Sequence, residues 1–302
     1  MPKTLRIGTR QSQLALKQAN MIAELLRNHV SDLTIEIVGI TTEGDQNQHQ
    51  PLHELGGKSV FIKSIEQALL KGEIDCAVHC LKDVTSDLHN DTELIAYRPA
   101  ESVSDCIIMT NGHSYKSLAD LPHGCSIATS SLRRQLLLNH HRPDIVIKPI
   151  RGNVDTRIAN CQAGYADGLM LAKAGLVRLQ RDKEISLVCD PSQFTPAPGQ
   201  GVIVIQKNRS DTHLNTYLSI LNDEYQQVLS QYEQAIIVDI GLSCDYPLGV
   251  YAQKHNDEVV INACWSTKAC TTFNTQTISG TTHSITKKIT ELSNHIKKSL
   301  LS

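Results

Sequence analysis

Arginine recurs beside small polar side chains at three places in this chain: Thr9-Arg10-Gln11-Ser12, Thr129-Ser130-Ser131-Leu132-Arg133-Arg134 and Arg151-Gly152-Asn153-Val154-Asp155-Thr156-Arg157. A guanidinium fork matches the paired oxygens of a carboxylate or phosphate, and hydroxyl or amide groups complete the shell. The pattern points to a ligand bearing several such oxyanions and leaves open which one. Ser, Thr and Asn are also good helix N-caps, so capping alone accounts for any single junction. Three junctions of like composition argue for more. A lone acid stands out against these cations: in Asp75-Cys-Ala-Val-His-Cys-Leu-Lys82-Asp83-Val84 an apolar run leads into Lys82-Asp83. Opposite charge nearby keeps a carboxylate ionised, ready to stabilise a cation or accept N–H groups. The bland alternative is a surface Lys-Asp pair of little energetic weight.

The elements that position these residues follow from periodicity. Leu5–Gly8 reads as a strand, and Leu14, Leu16, Ala19, Ile22, Ala23 and Leu26 recur at helical spacing. Leu33–Val38 alternates like a strand, Val60–Leu70 is helical and Asp75–His79 is a short strand. A second series has strands at Cys106–Met109, Ser126–Thr129, Ile145–Ile150 and Gly168–Leu171, with helices from Ser131, Asn153 and Lys173. The predicted fold class is α/β: two doubly wound, mostly parallel lobes. The junctions lie beyond strand carboxyl ends, where such sheets collect ligands and helix N-termini favour anions. Strand Val202–Gln206, after the turn Thr195-Pro-Ala-Pro-Gly-Gln-Gly201, can return to either lobe. One long helix is expected from about Leu214 to Val238, then β-rich Pro247–Trp265 and Thr271–Ile278 and an amphipathic helix from Ser284, a small C-terminal α+β domain.

Composition narrows the function. Lys+Arg 29 against Asp+Glu 31 gives a net charge of −2, which with 3 Phe, 8 Tyr and 1 Trp argues against a nucleic-acid binder. No apolar run reaches the ~18 residues of a membrane span, and the N-terminus lacks the apolar stretch of a secretory signal. Nine cysteines without a CxxC pair suggest neither a disulfide framework nor a zinc site. A reduced, cytoplasmic protein is the economical reading. No metal is expected, because the pairs His49/His53 and His140/His141 lack further ligands at metal-site spacing.

The segments Arg6-Ile-Gly-Thr-Arg-Gln-Ser12, Gly56-Gly-Lys-Ser-Val-Phe61, His79-Cys-Leu-Lys-Asp-Val84, Ala128-Thr-Ser-Ser-Leu-Arg-Arg-Gln135, Arg151-Gly-Asn-Val-Asp-Thr-Arg157, Leu171-Ala-Lys-Ala-Gly-Leu-Val-Arg-Leu179, Pro198-Gly-Gln-Gly201 and Cys244 before Pro247-Leu-Gly249 follow one another in order. Together they make the chain resemble the hydroxymethylbilane synthase (porphobilinogen deaminase) family over essentially its whole length. The resemblance implies two lobes like those of type II periplasmic binding proteins, crossed between twice, and a small cofactor-bearing domain. The expected boundaries are 1–99 with 200–216, 104–195 and 219–302. It implies a transferase that joins four porphobilinogen molecules head to tail with release of ammonia, then frees linear hydroxymethylbilane with water. It also implies a dipyrromethane cofactor, attached through Cys244, and a monomer with porphobilinogen as its small-molecule partner.

By the same resemblance Asp83 is catalytic, hydrogen-bonding pyrrole N–H groups and stabilising the azafulvenium cation. Cofactor-binding positions are Cys244, Lys82, Ser12, Thr129, Ser130, Ser131, Arg133, Arg134, Arg157, Gln200 and Gly201. Substrate-binding positions are Arg10, Arg151, Arg178, Lys58 and Phe61, the last two in a Gly-rich segment. The match departs around the cofactor cysteine, where Gly241-Leu-Ser-Cys-Asp-Tyr-Pro247 replaces the usual Gly-Gly before it and Gln-Val-Pro after it; Glu233-Gln234 replaces Glu-Arg, and Thr85 a proline. Those changes raise one alternative, a catalytically impaired paralogue; a second, of a different class, is a non-enzymatic binder of a polyanionic small molecule using the same two lobes.

Overall fold

The computed structural model describes residues 4–30, 33–42, 62–84, 88–241, 246–268, 270 and 272–301. Two compact units emerge, one built from the N-terminal hundred residues with 201–228 and the other from 102–200 with the C-terminal 229–302.

The first unit holds strands β1 (Thr4–Arg10), β2 (Thr34–Ile40), β3 (Cys76–Cys80), β4 (Thr92–Tyr97) and, after the chain has visited the second unit, β10 (Ile203–Asn208). Their order is β2-β1-β3-β10-β4. Strands β1, β2 and β3 are parallel, and β10 runs antiparallel to both β3 and β4. Helix α1 (Gln13–His29) buries Ala19, Ile22, Ala23 and Leu26 against Leu5, Ile7, Val78, Ile203 and Ile205. Helix α2 (Lys63–Leu70) covers Ala77 with Ile65 and Leu69. Strand β10 thus joins the first sheet, of the two open to it.

The second unit repeats the plan. Strands β5 (Asp105–Met109), β6 (Ser126–Ala128), β7 (Val146–Lys148), β8 (Gly168–Ala172) and β9 (Leu187–Val188) lie in the order β7-β6-β8-β5-β9. Here β5 opposes β8 and β9, while β6 is parallel to β7 and β8. Helices α3 (Leu132–His141), α4 (Val154–Gln162) and α5 (Lys173–Arg178) follow β6, β7 and β8.

The long helix expected from Leu214 is broken. A short helix α6 (Asn215–Leu218) and a 3-10 turn end before α7 (Glu224–Ile240). The cause is β4: Tyr97 N–H donates to Asn222 Oδ1 and Asp223 N–H donates to the Tyr97 carbonyl, both at 2.9 Å, so Asn222 and Asp223 leave the helical path. The sequence reading has no strand at β4, which supplies that partner.

The C-terminal antiparallel sheet is β11 (Leu248–His255), β12 (Glu258–Trp265) and β13 (Asn274–Thr281) in that order. Helix α8 (Ile285–Leu301) packs on it through Ile285, Ile289, Leu292 and Ile296, a repeat of three to four that keeps one stripe facing the sheet. Ile236 and Ile240 of α7 join the same core.

Candidate functional site

The first unit places Arg10 at the end of β1 and Ser12 just beyond it, where the Ser12 hydroxyl accepts the Ala15 N–H at 3.3 Å and caps α1. Lys82 and Asp83 sit in a single 3-10 turn, Leu81–Asp83, directly after β3, and both side chains are half-buried. The turn is fixed because the Leu81 N–H donates to the Val202 carbonyl at 3.0 Å, tying it to the chain entering β10. Gly201, buried and at φ +89°, precedes that strand and accepts the Glu101 N–H at 3.2 Å.

Behind this turn lies His79, buried in β3. Burial drives its pKa down to about 4; Gln206 and the Asp83 charge act in the opposite direction and Arg10 reinforces burial, so the imidazole is neutral at pH 7. Its Nε2 is 3.1 Å from Gln206 Oε1. The Gln206 amide donates to Glu66 Oε1 and to Thr92 Oγ1, both at 2.8 Å. Both amide protons are therefore committed, so Gln206 Oε1 accepts and His79 Nε2 carries the proton. His79 and Gln206 are residues that sequence reasoning did not select; the signal was a polar side chain inside each of two apolar strands.

The second unit gathers the arginines. Arg133 and Arg134, at the start of α3, are 4% and 7% exposed and converge on Asp105, the fully buried first residue of β5. Arg133 Nη1 donates to Asp105 Oδ2 at 2.6 Å and to the Thr195 carbonyl at 2.8 Å. Arg134 Nε donates to Asp105 Oδ1 at 3.0 Å and its Nη1 to the Met170 carbonyl at 3.0 Å. Gln200 Nε2 donates to Asp105 Oδ1 at 3.0 Å and to the Val103 carbonyl at 2.7 Å. Burial alone would raise the Asp105 pKa, but the two guanidinium charges and their hydrogen bonds outweigh it and hold the carboxyl well below the usual carboxylate range.

Asp105 is a second acid, beside Asp83, that sequence reasoning did not select: it is the carboxylate that these two arginines bind. Its signal in the sequence was an acid opening the otherwise apolar run Asp105-Cys-Ile-Ile-Met109.

Around this pair the hydroxyls are largely occupied. Ser131 accepts the Arg134 N–H at 3.5 Å and caps α3, and Thr129 Oγ1 accepts the Ser131 N–H at 3.3 Å. Ser130 donates to the Ile150 carbonyl at 2.7 Å and accepts the Ile150 N–H at 2.9 Å, joining two of the three junctions and fixing the backbone that leads into Arg151. Asn153 caps α4 by accepting the Thr156 N–H at 2.9 Å. Arg157 Nε donates to the Gly152 carbonyl at 2.7 Å, and Arg178 is buried at the end of α5. His140 stacks on Phe273 with ring centroids 3.8 Å apart, and His141 Nε2 lies 3.1 Å from the Gln193 carbonyl. Lys58, Phe61, Cys244 and the departures at Leu242, Ser243, Asp245 and Thr85 lie outside the described residues.

Among the polar atoms of predicted site residues that are buried with no hydrogen-bond partner among the described residues are Arg133 Nε, Arg151 Nη1 and Gln200 Oε1. Native proteins pair nearly all such atoms, so each one asks for a ligand or water. Two are cationic donors and one is a neutral acceptor. A group that offers carboxylates to the first two and an N–H to the third fits, and a pyrrole carrying acidic side chains offers both. The residues present therefore suit a dipyrromethane.

A family model described as "Porphobilinogen deaminase, dipyromethane cofactor binding domain" matches residues 5–216. The chain is 36% identical over 261 residues to a probable porphobilinogen deaminase of Methanopyrus kandleri, covering 86% of each. It is 39% identical over 263 residues to the porphobilinogen deaminase of Limosilactobacillus reuteri strain DSM 20016, covering 87% of this chain and 86% of that one. Among solved structures it is similar to the periplasmic VFT2 domain of Bordetella pertussis BvgS, with a TM-score of 0.42 and 15% identity over 72% of this chain and 86% of that one.

Proposed function

The chain belongs to the porphobilinogen deaminase family, and from that premise we propose that it works as a hydroxymethylbilane synthase, with roles that its own residues divide between the two units. The observation that carries the reading is the buried Asp105 cluster: two guanidiniums and the Gln200 amide share one carboxylate while Arg133 Nε and Gln200 Oε1 stay unfilled. A preorganised site of this kind binds anions without paying to reorient water or side chains.

Arg133 and Arg151 take carboxylates of the pyrrole side chains through their unfilled donors, and Gln200 Oε1 takes a pyrrole N–H. Arg10, Arg134, Arg157, Arg178, Lys82 and Lys58 add positive charge for a product whose acidity rises with every ring; Phe61 completes the substrate contacts. Ser12, Thr129, Ser130, Ser131 and Gly201 hold the junction backbones in place. Dipyrromethane, when bound through the Cys244 sulfur, supplies the end to which the first ring is joined. Asp83 accepts pyrrole N–H groups and stabilises the positive charge left on porphobilinogen as its amine departs with a proton as ammonia. It then assists removal of the ring proton after each carbon–carbon bond forms.

Three further readings accompany this one. The three sheets correspond to domains 1–99 with 200–216, 104–195 and 219–302. The protein acts as a monomer, and it acts in the cytoplasm; among the described residues no helix is long and apolar enough to cross a membrane.

The deciding experiment combines intact mass with an activity assay. The protein should exceed its polypeptide mass by two pyrrole units, lose that excess in Cys244→Ala, and convert porphobilinogen to a product that oxidises in acid to a fluorescent porphyrin. An unmodified mass with unconsumed porphobilinogen would leave only a binder of anions.

A further inference from the structure

One buried carboxylate of the second unit has no part in the scheme above. Glu233, in the middle of α7, is 7% exposed. Its Oε2 accepts the Gly199 N–H at 2.7 Å and its Oε1 accepts the Ala252 N–H at 2.9 Å. Burial pushes its pKa up to about 7 against the pull of these two N–H groups, and no charged side chain contributes to the shift. An ionisable group kept in such a place costs stability, so its geometry is informative.

Both partners are backbone atoms of segments that need fixing. Ala252 lies in β11, an edge strand of the C-terminal sheet. Two of its outward N–H groups find acceptors: Val250 donates to the Pro196 carbonyl at 3.0 Å and Ala252 to Glu233. An edge strand satisfied in this way is docked rather than left open. The approach is close enough to require glycine at 249, where a Cβ would sit 2.8 Å from the Thr195 carbonyl oxygen. Gly199, at φ +71°, is the residue before Gln200, whose side chain grips Asp105. An unbroken polar chain therefore runs from Ala252 through Glu233 and Gly199 to Gln200, Asp105, Arg133 and Arg134. In sequence, α7 ends at Ile240 and β11 begins at Leu248, so the elements that Glu233 joins are those on either side of Cys244.

We propose that Glu233 is a positioning residue for the cofactor: by holding Gly199 and Ala252 on one carboxylate it sets Gln200 and the Asp105–arginine cluster in register with the strand that follows Cys244. The inference rests on the reading that Gln200, Arg133 and Cys244 hold dipyrromethane. It assigns to Glu233 the retention of that group, not any contact with it.

The test is the loaded fraction of folded protein, read by intact mass after size exclusion. Glu233→Gln keeps an acceptor for one N–H and turns an NH2 toward the other; the fraction of folded molecules carrying the two-pyrrole increment should fall at least threefold. Glu233→Asp keeps the charge but lacks the reach for both N–H groups, and should load to an intermediate extent; it serves where the amide variant fails to fold. Because Glu233 acts through Gln200, Glu233→Gln combined with Gln200→Leu should load no less than Gln200→Leu alone. Folded variants loaded like the parent, with only a lower unfolding midpoint, would reduce Glu233 to a structural residue. Independent, multiplying losses in the double variant would equally overturn the proposal. A parent protein without the increment would instead overturn the reading on which it rests.

Discussion

In each five-stranded sheet the fourth strand runs against its neighbours, and in each it carries a buried polar side chain. In the first unit that strand is β10, and Gln206 is a neutral relay between the neutral His79 and the pair Glu66 and Thr92. In the second it is β5, and Asp105 is a full charge that anchors Arg133 and Arg134. One carboxylate against two guanidiniums leaves a surplus positive charge in the second cluster. The same backbone plan thus gives one lobe a neutral relay, with the neighbouring buried Lys207 neutralised by Glu93 at 2.8 Å, and leaves Asp83 half-buried after β3, and gives the other a cluster with surplus positive charge. What differs is the chemistry placed on a single antiparallel strand.

The comparison predicts that the two acids, Asp83 and Asp105, fail in opposite ways. Asp83→Asn should leave unfolding by urea unchanged while lowering turnover by ~10²-fold or more, the usual cost of removing a group aimed at charge that develops in the transition state. A turnover within a few-fold of the parent would remove Asp83 from the chemistry. Asp105→Asn should do the reverse first, because it strands two buried guanidiniums. Breaking a buried ion pair from one side costs about 3–5 kcal/mol, read as a lower urea midpoint, and loss of loaded cofactor should follow in the folded remainder. Equal stability in the two variants would mean that Asp105 is no more structural than Asp83.

These contrasts also mark how far the sequence reaches. Periodicity locates most strands and helices within a few residues, and the junctions at Ser12, Ser131 and Asn153 are recognisable because N-cap chemistry is local. The grouping of Arg133 with Arg134 is equally local. The Asp105 partnership is not: it spans 28 residues, and an acid at the head of an apolar strand looks like a strand boundary until the fold brings α3 over it. His79 and Gln206, separated by 127 positions, meet only because β10 returns to the first sheet, a choice that the strand pattern leaves open. The break at Asn222 hides for the same reason, since its cause is the edge of β4.

Acid should separate the two units. The His79 pKa is lowered from 6.5 to about 4, so its contribution to stability is present above 6.5 and is lost as pH falls toward 4, where the unfolded chain takes a proton that the folded chain refuses. The Glu233 pKa is raised from 4.5 to about 7, so its contribution is full below 4.5 and is lost as pH rises through 7. Between pH 7 and 5, amide protection factors in β3 should fall while those in β11 hold or rise. His79→Gln should flatten the first trend alone. Parallel trends in both strands would show that neither buried group governs its unit.

The smallest effect tests whether a hydroxyl does more than cap. Ser12 and Ser131 each accept one helical N–H, and replacing either by alanine should cost about 1 kcal/mol. Ser130 makes a reciprocal pair with Ile150, donating to its carbonyl and accepting its N–H, and Ile150 leads directly into Arg151. Ser130→Ala should lose a similar ~1 kcal/mol in urea unfolding, since a typical net hydrogen bond is of that size. If Arg151 binds a substrate carboxylate as proposed, this variant should in addition raise KM for porphobilinogen several-fold with kcat nearly unchanged, because the guanidinium with the unpartnered Nη1 is no longer held at its place. Ser12→Ala should match it in stability and leave KM alone. If the two variants shift KM equally, the Ser130–Ile150 pair is a cap-like convenience of the second lobe, and Arg151 finds its ligand without it.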